Sequence, residues 1–110
     1  MNDRLLSFLG ICRRAKKLVI GAEVTAQSVE EGKSLLILYA SDASKNSLKL
    51  VQQLAAERGV ATACVNRTKD QLSAALGRLC AVMSIEDKGF ADKLSQMISS
   101  EQRGEFYDKV

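Results

Sequence analysis

The feature that most constrains the fold is an alternation, in which four short apolar runs are separated by segments with helical periodicity. Runs this short suit β-strands, and the run at 35–40 is apolar at nearly every position, which is typical of a central strand buried on both faces. Alternating strands and helices predict an α/β fold, with a four-stranded mixed sheet and helices packed on both faces. The four runs are 18–20, 35–40, 61–65 and 79–85.

Five segments have the helical pattern, and most have recognisable ends. Glycines at 32, 59 and 77 follow three of them, in the position that favours a left-handed residue. Thr68–Gln71 has the form of a capping box. The expected helices span 3–14, 22–31, 44–58, a short segment after Thr68 and a segment after Asp87, and the other expected caps are Asn2 for the first, Ser41-Asp42 for the third and Asp87 for the fifth.

Length and composition predict one globular domain. The chain has 110 residues, of which 46% are hydrophobic and 26% charged, and we expect a single domain over residues 1–98. Residues 99–110 are polar, so we expect a loosely ordered tail there, although Phe106 and Tyr107 could dock on the domain. No apolar run approaches the ~20 residues of a membrane helix, and the N-terminus lacks signal-peptide order, so we expect a cytoplasmic protein without membrane contact.

The sequence lacks the side chains on which most catalytic and metal sites depend. It contains no His, and Cys12, Cys64 and Cys80 are far apart among apolar neighbours, so we expect small buried side chains rather than zinc ligands. It has no Gly-rich phosphate loop and no Trp, and its few aromatic residues make a base-stacking platform improbable. We therefore expect neither an enzyme nor a metal ion or other cofactor.

Positive charge is concentrated in the first part of the chain. Residues 1–78 contain 12 Lys and Arg against 7 Asp and Glu, whereas residues 79–110 contain 4 against 6. The densest basic stretch, 13–17, lies just before the first predicted strand, and Gly21 marks the turn from that strand into the second helix. This distribution favours a polyanionic partner such as RNA.

Several local patterns stand in a fixed order along the chain. They are Arg-Ala-x-Lys-Leu-Val-x-Gly at 14–21, Leu-Leu-Ile-Leu-Tyr-Ala-Ser-Asp-Ala-Ser at 35–44, Thr-Lys-Asp-Gln-Leu-Ser-x-Ala-Leu-Gly at 68–77 and Asp-Lys-Gly-Phe-Ala-Asp-Lys-Leu at 87–94. Together with the order of elements, they resemble the ribosomal protein L7Ae/L30e/Gadd45-like family, and most closely its small bacterial YlxQ-type members. The resemblance covers residues 3–98 and implies a three-layer α/β/α sandwich.

Many members of that family bind kink-turn RNA, a sharply bent internal loop with sheared G·A pairs. The resemblance therefore implies a structured RNA as the partner, in the ribosome or in another kink-turn-containing RNA, bound by a monomeric protein. It also places the RNA-facing segment at the turn into the second helix, where the family has Gly-x-Asn-Glu-x-x-Lys. This register falls on 21–27, where Gly21 matches, Ala22 follows, and Glu23, Val24 and Gln27 replace the Asn, the Glu and the Lys.

The second segment implied by the resemblance is the loop before the last strand, at 77–80. Leu79 could cover an extruded base, or it could simply begin the strand, and Arg78 could contact a phosphate. Ser41 and Ser44 are weaker hydrogen-bond donors, and Lys69 is a further cation in a first helical turn. The remaining candidates for phosphate contact are Arg13, Arg14, Lys16, Lys17 and Lys45.

We expect a non-catalytic RNA-binding protein associated with translation. The alternative is a protein-interaction module of the same fold that has lost specific kink-turn binding, as the departures at Glu23, Val24 and Gln27 suggest. Salt distinguishes the two, because RNA binding weakens steeply as salt rises whereas apolar docking does not. A third reading, an enzyme with a shifted pKa in a cleft, finds no supporting cluster in the sequence.

Overall fold

The computed structural model describes residues 3–103. Helices and strands alternate through this part of the chain, as the apolar pattern predicts. The elements are α1 (Arg4–Arg14), β1 (Leu18–Ile20), α2 (Ala22–Glu30), β2 (Leu36–Tyr39), α3 (Lys45–Arg58), β3 (Ala61–Cys64), α4 (Lys69–Leu76), β4 (Val82–Ile85) and α5 (Lys88–Arg103).

The four strands form one mixed sheet in the order β1-β4-β2-β3. β2 and β3 are parallel, whereas β4 is antiparallel to both of its neighbours, β1 and β2. Strands β1, β2 and β3 therefore run in one direction and finish at the same end of the sheet, where β4 begins. We call this end the carboxyl end of the sheet, and it gathers the loops that follow the three parallel strands.

Helices cover both faces of the sheet, so the three-layer α/β/α arrangement is confirmed. On one face, α1, α4 and α5 contribute Leu9, Leu72 and Leu94 to the larger apolar cluster. On the other face, α2 and α3 contribute Val29 and Val51 to a smaller cluster. Successive residues of β2 alternate between the two clusters, because successive side chains of a strand point to opposite faces.

The last strand begins later than the apolar run 79–85 suggests. α4 closes at Gly77, which has a φ of 80°, and the N–H of Cys80 then donates to Oγ of Ser73 rather than to a neighbouring strand. Ladder pairing starts at Val82, opposite Tyr39 of β2. Residues 77–81 are therefore a loop, and Leu79 does not begin the strand.

Two helix caps differ from the expected ones. Asp3, not Asn2, caps α1, since its side chain accepts from the N–H of Leu6. Ser44 caps α3. Asp42, expected at that cap, instead accepts a hydrogen bond from the N–H of Lys69 at the start of α4, at 2.8 Å. The Thr68–Gln71 capping box is confirmed, and Asp87 accepts from the N–H of Phe90.

The last helix is longer than the sequence indicates. α5 continues through 99–103, the first part of the segment expected to be loosely ordered. Burial of Ile98 and the pairing of Glu101 with Arg67 hold this extension against the domain. The rest of the predicted tail, with Phe106 and Tyr107, lies outside the described residues. Within residues 3–103, no helix combines the length and the apolar composition needed to cross a membrane.

Candidate nucleic-acid interface

Backbone hydrogen bonds hold the loops at the carboxyl end of the sheet together. The N–H of Gly21, at the turn from β1 into α2, donates to the carbonyl of Val82 at 2.9 Å. The N–H of Ala40 donates to the carbonyl of Ala81 at 2.8 Å, and that of Ser41 to the carbonyl of Arg67 at 2.9 Å. Four loops, which follow β1, β2 and β3 and precede β4, therefore form one continuous surface.

The turn into α2 presents the backbone itself. Gly21 has φ 116° and ψ 148°, a backbone conformation that residues other than glycine rarely adopt, and α2 has no side-chain cap. A Cβ on Gly21 would meet nothing closer than Val24, at 4.0 Å, so the dihedral angle rather than crowding requires glycine here. The first N–H groups of α2 thus lack a side-chain cap, and the positive end of the helix dipole lies with them.

The side chains of the first two turns of α2 divide between the surface and the core. Glu23, Val24 and Gln27 are exposed, and 44% of Val24 is accessible. The Gln27 amide donates to Glu31 at 3.0 Å, and this bond, followed by Lys33, lowers the pKa of Glu31. Ala22 is half-buried against the cluster around Val29, so of this predicted segment it offers mainly its backbone.

The loop before β4 carries the most exposed apolar side chain among the large ones that the structure describes. Leu79 is 77% exposed, and Arg78 beside it is exposed as well. Cys80, the next residue, is fully buried, and burial raises the pKa of its thiol to about 11. The loop therefore anchors on Cys80 and holds Leu79 out in solvent at the carboxyl end of the sheet.

Two neighbouring arginines of α1 point to different places. A Cβ placed on Gly77 would stand 3.4 Å from Nη1 of Arg13, so the Arg13 side chain reaches across to the α4–β4 loop. By the same measure, Nη1 of Arg14 stands 3.5 Å from a Cβ on Gly10 and so lies back along its own helix. The structure thus brings Arg13, and not Arg14, to the loop that bears Arg78.

Lys16 and Lys17 lie at the other end of β1. The carbonyl of Lys17 accepts from the N–H of Glu86, just past the end of β4, whereas Gly21 pairs with Val82 at its start. At about 3.3 Å per residue, Lys17 and Gly21 are about 13 Å apart along the strand. These two lysines are therefore separate from the turn into α2.

The start of α3 contributes Lys45, which is exposed in the first turn. Oγ of Ser44 accepts from the N–H of Ser47 and donates to its hydroxyl, so this hydroxyl is already engaged in capping. Ser41 is exposed and Lys69 is half-buried. The carboxyl end of the sheet thus offers one cation on the α3 side.

No metal-binding cluster accompanies this surface in the described part of the chain. No three metal-ligating side chains come together within residues 3–103. Cys12 and Cys80 are buried as expected, whereas Cys64 is half-buried, and burial raises the pKa of Cys12 to about 11. A thiol with so high a pKa is protonated near neutral pH and is a poor nucleophile.

The sequence did not predict that the Arg13 side chain lies beside Gly77. The sequence pattern marks Gly77 only as the residue that ends α4, and the φ of 80° at Gly77 agrees with that interpretation. The Arg13 guanidinium, which comes from a helix more than 60 residues earlier, lies against Gly77, 3.4 Å from the place of a Cβ. Only the packing of α1 beside α4 reveals this, so no local signal could have predicted it.

The chain is similar to a family of known proteins over most of its length. The model of the ribosomal protein L7Ae/L30e/S12e/Gadd45 family matches residues 3–95. RNA-binding protein YlxQ of Enterococcus faecium is 28% identical over 98 residues, covering 88% of this chain and 93% of that protein. RNA-binding protein YlxQ of Bacillus subtilis strain 168 is 29% identical over 91 residues, covering 82% of this chain and 90% of that protein.

Two solved structures are similar in fold. A protein of unknown function from Bacillus halodurans superposes with a TM-score of 0.83 at 27% identity, over 89% of this chain and 99% of that chain. The 15.5kD RNA binding protein of Giardia lamblia superposes with a TM-score of 0.68 at 19% identity, over 91% and 89%. At that identity the second likeness concerns the fold alone.

Proposed function

Because the chain belongs to the ribosomal protein L7Ae/L30e/S12e/Gadd45 family, we propose that it is a non-catalytic RNA-binding protein that recognises a structured, kink-turn-like RNA. Its expected setting is the ribosome or another part of translation, in the cytoplasm, where it acts as a monomer. Two relatives that are named RNA-binding proteins support the RNA partner.

One observation carries the proposal, namely that the uncapped N-terminus of α2 and the loop bearing Leu79 are fixed side by side through the Gly21–Val82 hydrogen bond. Free N–H groups at a helix N-terminus bind phosphate oxygens or acceptors on base edges. An exposed apolar side chain next to them provides a surface for an unstacked base. A bent RNA with an extruded nucleotide offers both of these partners.

The first turn of α2 sets the chemistry of base contact. The Glu23 carboxylate can only accept hydrogen bonds, so it suits the amino groups of guanine or cytosine and repels phosphates. Val24 adds apolar contact, and Gln27 can hydrogen-bond without adding charge. The proposed contact at this turn is therefore directed at a base edge, while positive charge for the RNA backbone comes from neighbouring elements.

A second candidate function is protein docking through the same surface. The exposure of Val24 and Leu79 and the negative charge of Glu23 favour it. Such docking would depend on apolar contact and would be weakly sensitive to salt, in contrast to an interface that neutralises phosphates.

The test is binding to a short kink-turn RNA that contains both sheared G·A pairs, beside a copy in which those pairs are replaced. Dissociation constants are measured between ~50 and 200 mM salt, the range over which phosphate contacts lose affinity steeply. We expect tight binding that weakens with salt and that disappears when the G·A pairs are replaced. Equal, weak binding to both RNAs would contradict kink-turn recognition and favour the protein-docking alternative.

A further inference from the structure

Two arginines that are distant in sequence are brought to one loop at the carboxyl end of the sheet. Arg13 lies in the last turn of α1, and Arg78 is the first residue after Gly77. Nη1 of Arg13 stands 3.4 Å from the place where a Cβ of Gly77 would be, so its guanidinium lies beside the backbone that leads directly to Arg78. The Arg13 side chain and the exposed residue Arg78 therefore belong to the same short loop region.

The buried thiol beneath this loop experiences both positive charges. Arg13 and Arg78 each lower the pKa of Cys80, against the larger raising effect of burial. The positive charges of both arginines therefore act on the same thiol. This agrees with the placement of Arg13 beside Gly77.

Neither arginine has an acidic partner in the part of the chain described. The ion pairs among residues 3–103 involve Lys33, Arg67 and Lys88, and neither Arg13 nor Arg78. Arg67 shows the contrasting case, because it is only 14% exposed and bonded to both Asp3 and Glu101. A structural arginine in this protein is thus surrounded by carboxylates, whereas the pair at the loop is not.

Two like charges held close together repel each other, and the repulsion is relieved when an anion binds between them. The guanidinium group is suited to phosphate, because its planar set of N–H donors matches two phosphate oxygens at once. Leu79 separates Arg78 from the buried Cys80 and is itself exposed, so a nucleotide resting on Leu79 would bring its phosphate close to both arginines.

Charge on the surrounding helices gives the site a direction. Glu23 and Glu30 on α2, and Glu31 directly after it, are exposed on the face of the sheet opposite α1 and α4. A phosphate backbone that continued from Leu79 over α2 would meet these carboxylates. One that continued over α1 and α4 would meet Arg13 and Arg78, and these two helices carry a single carboxylate, Asp70 in the first turn of α4.

We propose that Arg13 and Arg78 together hold one backbone phosphate of the bound RNA, at a subsite formed by the end of α1 and the α4–β4 loop, next to the turn into α2 but not using its N–H groups. This proposal rests on the RNA-binding function proposed above. It adds a residue from α1 to the interface and directs the RNA strand across the layer that contains α1 and α4.

The test is a double-mutant cycle in RNA affinity, with Arg13→Gln, Arg78→Gln and the double variant. Because a charged hydrogen bond to phosphate is lost, we expect each single change to weaken binding about ten-fold. Because both side chains hold the same phosphate, we expect the double variant to lose much less affinity than the product of the two single-variant factors. The slope of log affinity against log salt falls by about one in the double variant, as for one phosphate, instead of about two.

Arg14→Gln is the matched control, since it removes the same charge from the same helix but lies back over Gly10. We expect it to change affinity much less than Arg13→Gln does. Circular dichroism and thermal unfolding establish that all variants are folded. Equal effects of Arg13→Gln and Arg14→Gln, or full additivity with a slope change of about two, would overturn the shared phosphate.

A second measurement separates this proposal from the function on which it rests. Inorganic phosphate is titrated into the wild-type protein at constant ionic strength, with chloride as the reference, and the arginine Nε–Hε signals are followed by NMR. We expect those of Arg13 and Arg78 to shift more than that of Arg14. If the wild-type chain binds neither kink-turn RNA nor its altered copy, the proposed function fails, and this titration alone decides the subsite: uniform shifts of all three arginines would overturn it.

Discussion

Lys16 occupies a backbone conformation that normally belongs to glycine. Its φ is 63°, and it follows Ala15 at the end of α1. Its N–H donates to the carbonyl of Arg13, and the N–H of Lys17 donates to that of Cys12, which together form a Schellman motif. The motif turns the chain from α1 into β1 at the expense of strain at a residue with a Cβ.

Lys16→Gly should therefore stabilise the protein. Relief of the left-handed strain exceeds the extra entropy that glycine brings to the unfolded chain, so we expect the free energy of unfolding to rise by about 0.5–1 kcal/mol. Urea denaturation measures the change. Lys16→Ala removes the same charge but keeps the strain, so an equal gain in both variants would show that charge, and not backbone conformation, is responsible.

Thr25 and Ser28 on α2 both have buried hydroxyl groups, and we expect removal of these groups to change stability in opposite directions. Oγ1 of Thr25 is buried without a hydrogen-bond partner among the described residues, whereas Oγ of Ser28 bonds to Ser84 at 2.9 Å and to Glu86 at 2.6 Å. We expect Thr25→Val to raise the free energy of unfolding and Ser28→Ala to lower it, each by about 1 kcal/mol. Chemical denaturation of both variants tests this, and a loss of stability in Thr25→Val would mean that its hydroxyl has a partner.

At the level of elements, Arg67 joins three separate segments. It donates to Asp3 at the start of α1, to Glu101 near the end of α5, and to the carbonyl of Val65 in its own loop. The pKa of Asp3 is held below its ordinary value, chiefly by the bond from Arg67, and Glu101 followed by Asp3 raises the pKa of Arg67. The loop between β3 and α4 is thereby fixed to the helices that bracket the described chain.

The lowered pKa of Asp3 predicts a pH-dependent contribution to stability. A depressed folded-state pKa stabilises the protein fully above the ordinary value of 3.8, and the contribution is lost as pH falls through the lowered value. Asp3→Asn keeps a good helix cap, but it removes the charge and leaves one oxygen where two accept from Arg67. We expect this variant to be less stable than wild type at pH 7 and equally stable at the lowest pH at which both fold, as measured by urea denaturation across the acid range. A difference that does not change with pH would contradict the role of the charge.

The elements themselves were predictable from the sequence, while the positions of their caps were not. Apolar periodicity located each helix and strand, because burial of one face gives apolar residues one repeat in a helix and another in a strand. Asn2 and Asp3 are equally able to cap α1, and a local pattern cannot choose between neighbouring residues. For α3 the choice depends on Lys69, whose N–H engages Asp42 and leaves Ser44 as the cap. That contact joins two helices and has no signature in either segment.

Across the whole molecule, exposed apolar side chains are scattered, but two of them lie at the carboxyl end of the sheet. Val24 and Leu79 lie there, whereas Ile11 and Leu50 are on α1 and α3, and Leu35 precedes β2 at the opposite end. The strand order determines both this distribution and the contact among four loops at the carboxyl end of the sheet. The sequence could place candidate residues in loops, but strand order, which depends on long-range pairing, determines which loops meet.

Leu79 should matter for RNA binding and not for stability. Because its side chain is 77% exposed, we expect Leu79→Ala to change the free energy of unfolding by less than about 0.5 kcal/mol. Loss of its contact with a base should weaken RNA binding about ten-fold, since burying a leucine is worth roughly 1.5–3 kcal/mol. Leu50→Ala, 49% exposed on α3, is the control and should leave affinity unchanged. Equal affinities of Leu79→Ala and wild type would remove Leu79 from the interface.

The place of β4 in the sheet also affects when the interface comes into existence. β4 lies between β1 and β2 but is the last strand within residues 3–103, so the carbonyl of Val82 that accepts from the N–H of Gly21 is absent until most of the polypeptide has been made. A nascent chain that has emerged only through α3 has β1 and β2 with no strand between them. The surface proposed to bind RNA is therefore complete only near the end of synthesis, and translation products truncated before β4 lack it.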